Sequence, residues 1–147
     1  MTTSAIISFA ERLENESSQF YEKLAEMAKK DKEVFVGFAE EGRKNKSLIV
    51  RTYRETISDA LEACFSFESL DLNEYSTEVT VTQETSFLNA LKMALELENN
   101  ASKFYADLAE CSASLLATIP RAFKRVAETR KNRITKLQGL LDALRTQ

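Results

Sequence analysis

Two glutamates, Glu14 and Glu98, occupy the same place in a segment that occurs twice in the chain. The two copies are residues 13–26 and 97–110. They are identical at nine of fourteen positions, without a gap, and each glutamate precedes a tyrosine (Tyr21 or Tyr105) by seven positions. Each glutamate also lies beside an apolar helical stripe, where a carboxylate is unfavourable unless something compensates its charge. The repeat therefore predicts a buried polar centre whose chemistry depends on the residues opposite.

Apolar residues recur every three or four positions in four stretches, as on the core-facing side of an amphipathic helix. The predicted helices span residues 3–30, 31 into the sixties, 84–111 and 120–145. The periodicity fails over residues 65–83, where Thr77–Thr82 alternates like a strand. An extended connection of about 19 residues can run the length of a helix of roughly 42 Å. We therefore predict one all-α domain, internally duplicated as about 3–65 and 84–145, with an up-down bundle and a loose middle loop as the alternative.

The pairs Glu14…Tyr21 and Glu98…Tyr105 resemble the rubrerythrin-related branch of the ferritin-like superfamily, over nearly the whole chain. The resemblance implies a ferritin-like four-helix bundle with a long crossover between helices 2 and 3. It also implies a site for two iron or manganese ions that carries out oxygen or peroxide chemistry. In such sites two helices each supply a glutamate, and the other two each supply Glu-x-x-His. Glu14 and Glu98 match the first pair of metal ligands.

The second half of the ligand set is missing, because the chain contains no histidine. Pairing the Phe-x-x-Phe-Ala run at Phe35 with the Phe-x-x-Val-Ala run at Phe123 keeps both apolar stripes in phase. The substituted ligand positions are then Gly42, Asn45, Arg130 and Arg133. A competing alignment reads Glu41-x-x-Lys and Glu128-x-x-Lys, but it places Glu128 nearly opposite the apolar stripe of its helix. Since arginine has no acceptor and stays protonated, it cannot bind a metal ion.

The arginines suggest a different compensation for the two glutamates. Arg130 lies on the apolar stripe of the fourth helix, and a guanidinium can replace a metal ion as counter-charge because it binds carboxylates in a fork. We expect a metal-free core in which Glu14 and Glu98 pair with Arg130 and Arg133, while the two repeat tyrosines donate hydrogen bonds to the carboxylates. Two alternatives remain: the arginines extend to solvent and leave the glutamates hydrated or protonated, or Glu14, Glu98 and Glu41 bind residual metal.

These residues favour a non-catalytic protein that acts through dimerisation or partner binding, with no cofactor. The alternatives are a rubrerythrin-type metal-dependent oxidoreductase or iron-handling protein, and a scaffold for another small ligand. If the chain is an enzyme, it is a di-iron oxidoreductase, although it lacks the Cys-x-x-Cys pairs of a rubredoxin-like module. The resemblance also implies a homodimer.

Composition and the N-terminal sequence limit the other functional classes. The net charge of −3 gives no reason to expect nucleic acid or an anionic membrane as a partner. The apolar run near the N-terminus is too short for a signal peptide or a membrane span, which predicts a cytoplasmic protein. Cys64 and Cys111 are isolated in sequence and are expected to be free thiols in a reducing compartment.

Overall fold

The computed structural model describes residues 3–56, 70–112 and 118–146, and within these it contains four α-helices and no β-strand. The helices are α1 (Thr3–Met27), α2 (Lys32–Thr56), α3 (Phe87–Cys111) and α4 (Thr118–Arg145). A short 3-10 helix spans Leu72–Tyr75. The prediction of an all-α four-helix bundle is confirmed. None of the helices in the described ranges is long and apolar enough to cross a membrane.

The helix boundaries follow local capping more closely than the apolar periodicity. Helix α1 ends at Met27, and Asp31 adopts a φ of 60° between α1 and α2. This is the left-handed region, which Asp tolerates better than most residues and which reverses the chain. Helix α3 begins after Ser86, whose side chain accepts a hydrogen bond from the Asn89 amide as an N-cap. The predicted continuation of α2 falls on residues 57–69, outside the described ranges.

The helices form two hairpins that pack on each other. Helix α1 packs along α2, and α3 packs along α4. The hairpins meet where α2 contacts α4 and, less extensively, where α1 contacts α3. Phe87, at the start of α3, packs edge-on against Phe35 in the first turn of α2, with ring centroids 5.8 Å apart. The connection therefore brings the chain back to the end of the bundle at which α2 begins.

The described part of the connection, residues 70–86, lies against α1 and α3. The buried Tyr75 packs on the Phe104 ring at a centroid distance of 5.3 Å, and its hydroxyl donates to Asp107 Oδ2 at 2.7 Å. Asn100 Nδ2 donates to Thr77 Oγ1 at 2.6 Å. The strand-like alternation near Thr77 does not produce a strand in these residues, since the segment packs on helices and pairs with no neighbouring strand.

The core is a continuous layer of aliphatic and aromatic side chains between the hairpins. Alanines on α3 allow the neighbouring helices to approach closely, and the larger residues fill the space around them. The fully buried residues include Leu24, Phe35, Ala90, Leu91, Ala94, Ala101, Phe104, Leu108, Val126 and Leu137. This layer is interrupted at mid-height by a group of charged side chains.

Candidate functional site

Four charged side chains are buried at the centre of the bundle, each at most 1% exposed. They are Glu14 on α1, Glu98 on α3, and Arg130 and Arg133 on α4. Each lies three or four positions from apolar residues of its own helix, so the helical period that buries those residues also buries the charges. We call these four residues the charged centre.

Arg130 lies between the two glutamates of the repeat. Its Nη1 donates to Glu98 Oε1 at 2.6 Å, and its Nη2 donates to Glu14 Oε2. The same Nη2 also donates to Ser17 Oγ at 3.0 Å. One guanidinium therefore joins α1 to α3 through carboxylates from both copies of the repeat, by charge-assisted hydrogen bonds.

Arg133 connects the charged centre to α2. Its Nη1 donates to Glu98 Oε1 at 3.1 Å, and its Nε donates to Glu41 Oε1 at 2.8 Å. Its Nη2 donates to the Phe38 carbonyl at 3.1 Å. The guanidinium carbon lies 5.2 Å from the Phe38 ring centroid and 5.5 Å from that of Tyr21, within cation–π range. Because the Glu41 side chain is 39% exposed, the network reaches the surface at this point.

The two repeat tyrosines are both fully buried but bond differently. The Tyr21 hydroxyl donates to Glu98 Oε1 at 2.7 Å, so it crosses to the glutamate of the other copy. The Tyr105 hydroxyl has no hydrogen-bond partner among the described residues, which differs from the expected donation to a carboxylate. Burial raises the pKa of both hydroxyls well above the ordinary value. The negative charge of Glu98 raises the pKa of Tyr21 further, and that of Glu14 raises the pKa of Tyr105 further.

The charged centre contains two carboxylates and two guanidinium groups, but its members differ in how far their neighbours offset the cost of burying a charge. Burial raises the pKa of Glu14 above its ordinary value, and the positive charges of Arg130 and Arg133 offset only part of that effect. Burial alone would lower the pKa of Arg130, yet Glu14 and Glu98 raise it above the ordinary value, so this guanidinium stays charged. Glu14 Oε1 and Glu98 Oε2 accept no hydrogen bond from the described residues.

Gly42 and Asn45, the substituted positions on α2, make their contacts elsewhere. A Cβ built on Gly42 would overlap Ser18 Oγ, which donates to the Ala39 carbonyl at 3.0 Å. The absence of a side chain thus lets α2 approach α1. Asn45 is buried, and its Nδ2 donates to Thr129 Oγ1 at 3.2 Å, so it helps to join α2 to α4.

The residues at the charged centre do not fit a di-metal site. Among the residues that the structure describes, no group of three or more His, Cys, Asp or Glu side chains is arranged to hold a metal ion. The guanidinium of Arg130 bonds to the carboxylates of Glu14 and Glu98, where a bridging metal ion would have to bind. Two fixed positive charges would also repel a divalent cation.

Three partners of the arginines were not identified from sequence. Ser17 follows Glu14 by one helical turn and is a polar residue on an apolar stripe. That position could have indicated that its hydroxyl bonds to the buried arginine. The ion pair of Glu41 with Arg133 depends on how closely α2 approaches α4, which the sequence does not give. The contact of Arg133 with the Phe38 carbonyl involves the backbone, so no side-chain type could have indicated it. Cys111 is half-buried at the end of α3, and Cys64 lies outside the described residues.

We compared the chain with protein-family models, curated proteins and solved structures, and none of them matches it.

Proposed function

We propose that this chain is a ferritin-like, rubrerythrin-related bundle in which the charged centre replaces the metal ions, and that it acts by binding a partner or another copy rather than by catalysis. The observation that carries the proposal is the position of Arg130 between Glu14 and Glu98. The repeat and the return of the chain to the Phe35 end of the bundle are what a ferritin-like crossover requires.

The charged centre is suited to holding helices together. Its four members are at most 1% exposed, so a substrate would have to open the bundle to reach them. Arg130 joins α1, α3 and α4, and Arg133 adds α2 through Glu41. Removing one partner of such a buried group costs about 3–5 kcal/mol, although the intact group adds little net stability relative to apolar packing. Its role is then to keep the four helices in one arrangement.

Metal binding measured on the purified protein tests this proposal. The protein is incubated with Fe(II) or Mn(II), dialysed against metal-free buffer, and its metal content per chain is measured by mass spectrometry. A matched control is the Glu14→Gln/Arg130→Met variant, which removes one carboxylate and one guanidinium together and leaves Glu98 paired with Arg133. We expect the wild type to retain no more metal than this control.

A second variant separates the residual-metal alternative from the proposal. Glu41→Gln removes the one partly exposed carboxylate of the network. Two metal ions per chain that survive dialysis in the wild type and are lost from the Glu14→Gln/Arg130→Met control would overturn the proposal. One ion that is lost in Glu41→Gln would instead assign a reduced metal site to Glu14, Glu98 and Glu41, and would equally contradict it.

A further inference from the structure

The charges of this chain are separated between two sides of the bundle. Helix α4 has eight basic residues, of which Arg130 and Arg133 are buried in the charged centre, and only two acidic ones. Between Arg54 and Lys92 the sequence has no lysine or arginine and eight acidic residues. The net charge of −3 therefore conceals one strongly basic and one strongly acidic region.

The basic side contains a shallow groove between α2 and α4, with a volume of about 540 Å³. Its cations are Arg43, Lys44, Arg51 and Arg125, around a floor that includes Asn45 and Thr129. We call these six residues the basic groove. The one acidic residue among those that line the groove, Glu41, is paired with Arg133.

Most of the positive charge in the basic groove is available to a partner. Arg43 is paired with Glu22 on α1. Lys44, Arg51 and Arg125 are exposed and take part in no ion pair with the residues that the structure describes. Three like charges around one groove raise each other's electrostatic energy, and an anionic surface placed over them would lower it.

The acidic side is the connection between α2 and α3. Its described acidic residues are all exposed: Asp71, Glu74, Glu78 and Glu84. The segment lies on α3, through Tyr75 with Asp107 and Thr77 with Asn100, and it lines a pocket together with Arg12 of α1. Since the basic groove lies between α2 and α4, the two surfaces are on opposite sides of the bundle. We call these four acidic residues the acidic connection.

This arrangement distinguishes between two kinds of self-association. A twofold dimer through the basic groove would place like charges against each other, which is destabilising. A heterologous contact, in which different surfaces of the two copies meet, would pair the basic groove of one with the acidic connection of the next. Because the two surfaces face away from each other, one molecule can bind a neighbour on each side.

We propose that the basic groove of one copy binds the acidic connection of another, so that the chain associates head to tail. The pairs are solvent-exposed, so each contributes little and salt screens them strongly. This inference rests on the proposed function, in which the protein acts by association. Its test measures assembly and the earlier one measures metal content, so either can fail without the other.

Sedimentation velocity on the full chain, at several protein concentrations, tests the contact. We expect the average mass to rise with concentration at about 0.01 M salt, where the Debye length is about 30 Å, and to return to that of the monomer at about 1 M salt, where it is about 3 Å. A mass that does not depend on concentration at low salt would overturn the proposal, and so would a dimer that persists in high salt.

Charge reversal identifies the surfaces. The groove variant carries Lys44→Glu, Arg51→Glu and Arg125→Glu. The connection variant carries Glu74→Lys, Glu78→Lys and Glu84→Lys. The control variant, with the same charge change as the groove variant, carries Lys29→Glu, Lys30→Glu and Arg145→Glu at the end of the bundle beyond the groove. We expect each of the first two variants to be monomeric alone, whereas the control associates like the wild type.

Mixing the groove and connection variants gives the most specific result. Each retains the surface that the other has lost, so an equimolar mixture should associate again, and both variants should be present in the complex. Failure of the mixture to associate would overturn the proposal even if each variant alone is monomeric. Wild-type chains that stay monomeric but bind a single-stranded DNA probe through the groove would also overturn it, and would assign the groove to a nucleic acid.

Discussion

Replacing Arg130 by methionine tests the charged centre most directly. The guanidinium donates to both Glu14 and Glu98, and all three side chains are at most 1% exposed. Methionine has a similar length and no charge, so the variant leaves two buried carboxylates with only Arg133 as a buried cation. Removal of one partner from a buried ion pair costs about 3–5 kcal/mol. That is a large fraction of the roughly 5–15 kcal/mol by which a domain of this size is stable.

Urea unfolding at neutral pH measures this loss, and its dependence on pH identifies the cause. Burial already raises the pKa of Glu14 above its ordinary value of 4.5, and removal of Arg130 should raise it further. A carboxyl group with a raised pKa contributes stability that is present in full below the unfolded pKa and lost as the pH rises through the folded pKa. The difference between Arg130→Met and the wild type should therefore be largest near neutral pH and shrink as the pH falls towards 4.5.

Two further variants separate charge from packing. Arg121→Met removes an exposed arginine from the same helix and should change the free energy of unfolding by no more than about 0.5 kcal/mol. Glu14→Gln/Arg130→Met removes one charge of each sign, so it should recover much of the stability lost in Arg130→Met. A loss below about 1 kcal/mol in Arg130→Met, or a loss that does not change with pH, would refute the buried counter-charge.

Two other predictions compare matched positions, each by urea unfolding. Tyr21→Phe should lose about 1.5–3 kcal/mol, because the hydroxyl donates to the Glu98 carboxylate, whereas Tyr105→Phe should be nearly neutral; equal losses would contradict the assigned bonds. Gly42→Ala should gain up to about 1 kcal/mol of helix propensity in a Ser18→Ala background but not in the wild type, where the new Cβ meets Ser18 Oγ. The same effect in both backgrounds would show that this contact does not limit the approach of α1 and α2.

Sequence periodicity was sufficient to predict the helices and the burial of Arg130. That residue lies on the apolar stripe of α4. Because the stripe determines which side of the helix is buried, a charged residue on it is buried together with its apolar neighbours. Alignment of the stripes of α2 and α4 also excluded the competing choice of Glu128, which is exposed. These inferences use only the helical period, so they do not depend on the distances between helices.

The partners of each side chain could not be predicted in the same way. Tyr21 bonds to Glu98 rather than to Glu14 of its own helix, because neighbours across a bundle are set by the height at which α1 packs on α3. Glu41 reaches Arg133 for a similar reason. The end of α1 was predicted at residue 30 but lies at Met27, since the chain leaves the helix there and turns at Asp31 without a change in apolar pattern.

Under the proposed relationship to ferritin-like proteins, the charged centre would replace the chemistry of a di-metal core while keeping that core neutral. A di-metal centre of that family balances four glutamates with two divalent ions. Here two buried glutamates face two arginines. This centre therefore contains half the negative charge and half the positive charge of a di-metal centre. The cations of this chain are covalently attached, so they cannot leave, exchange with solvent or change oxidation state. A core built in this way can fix the positions of four helices without any cofactor, but it offers no open coordination position and no electrons.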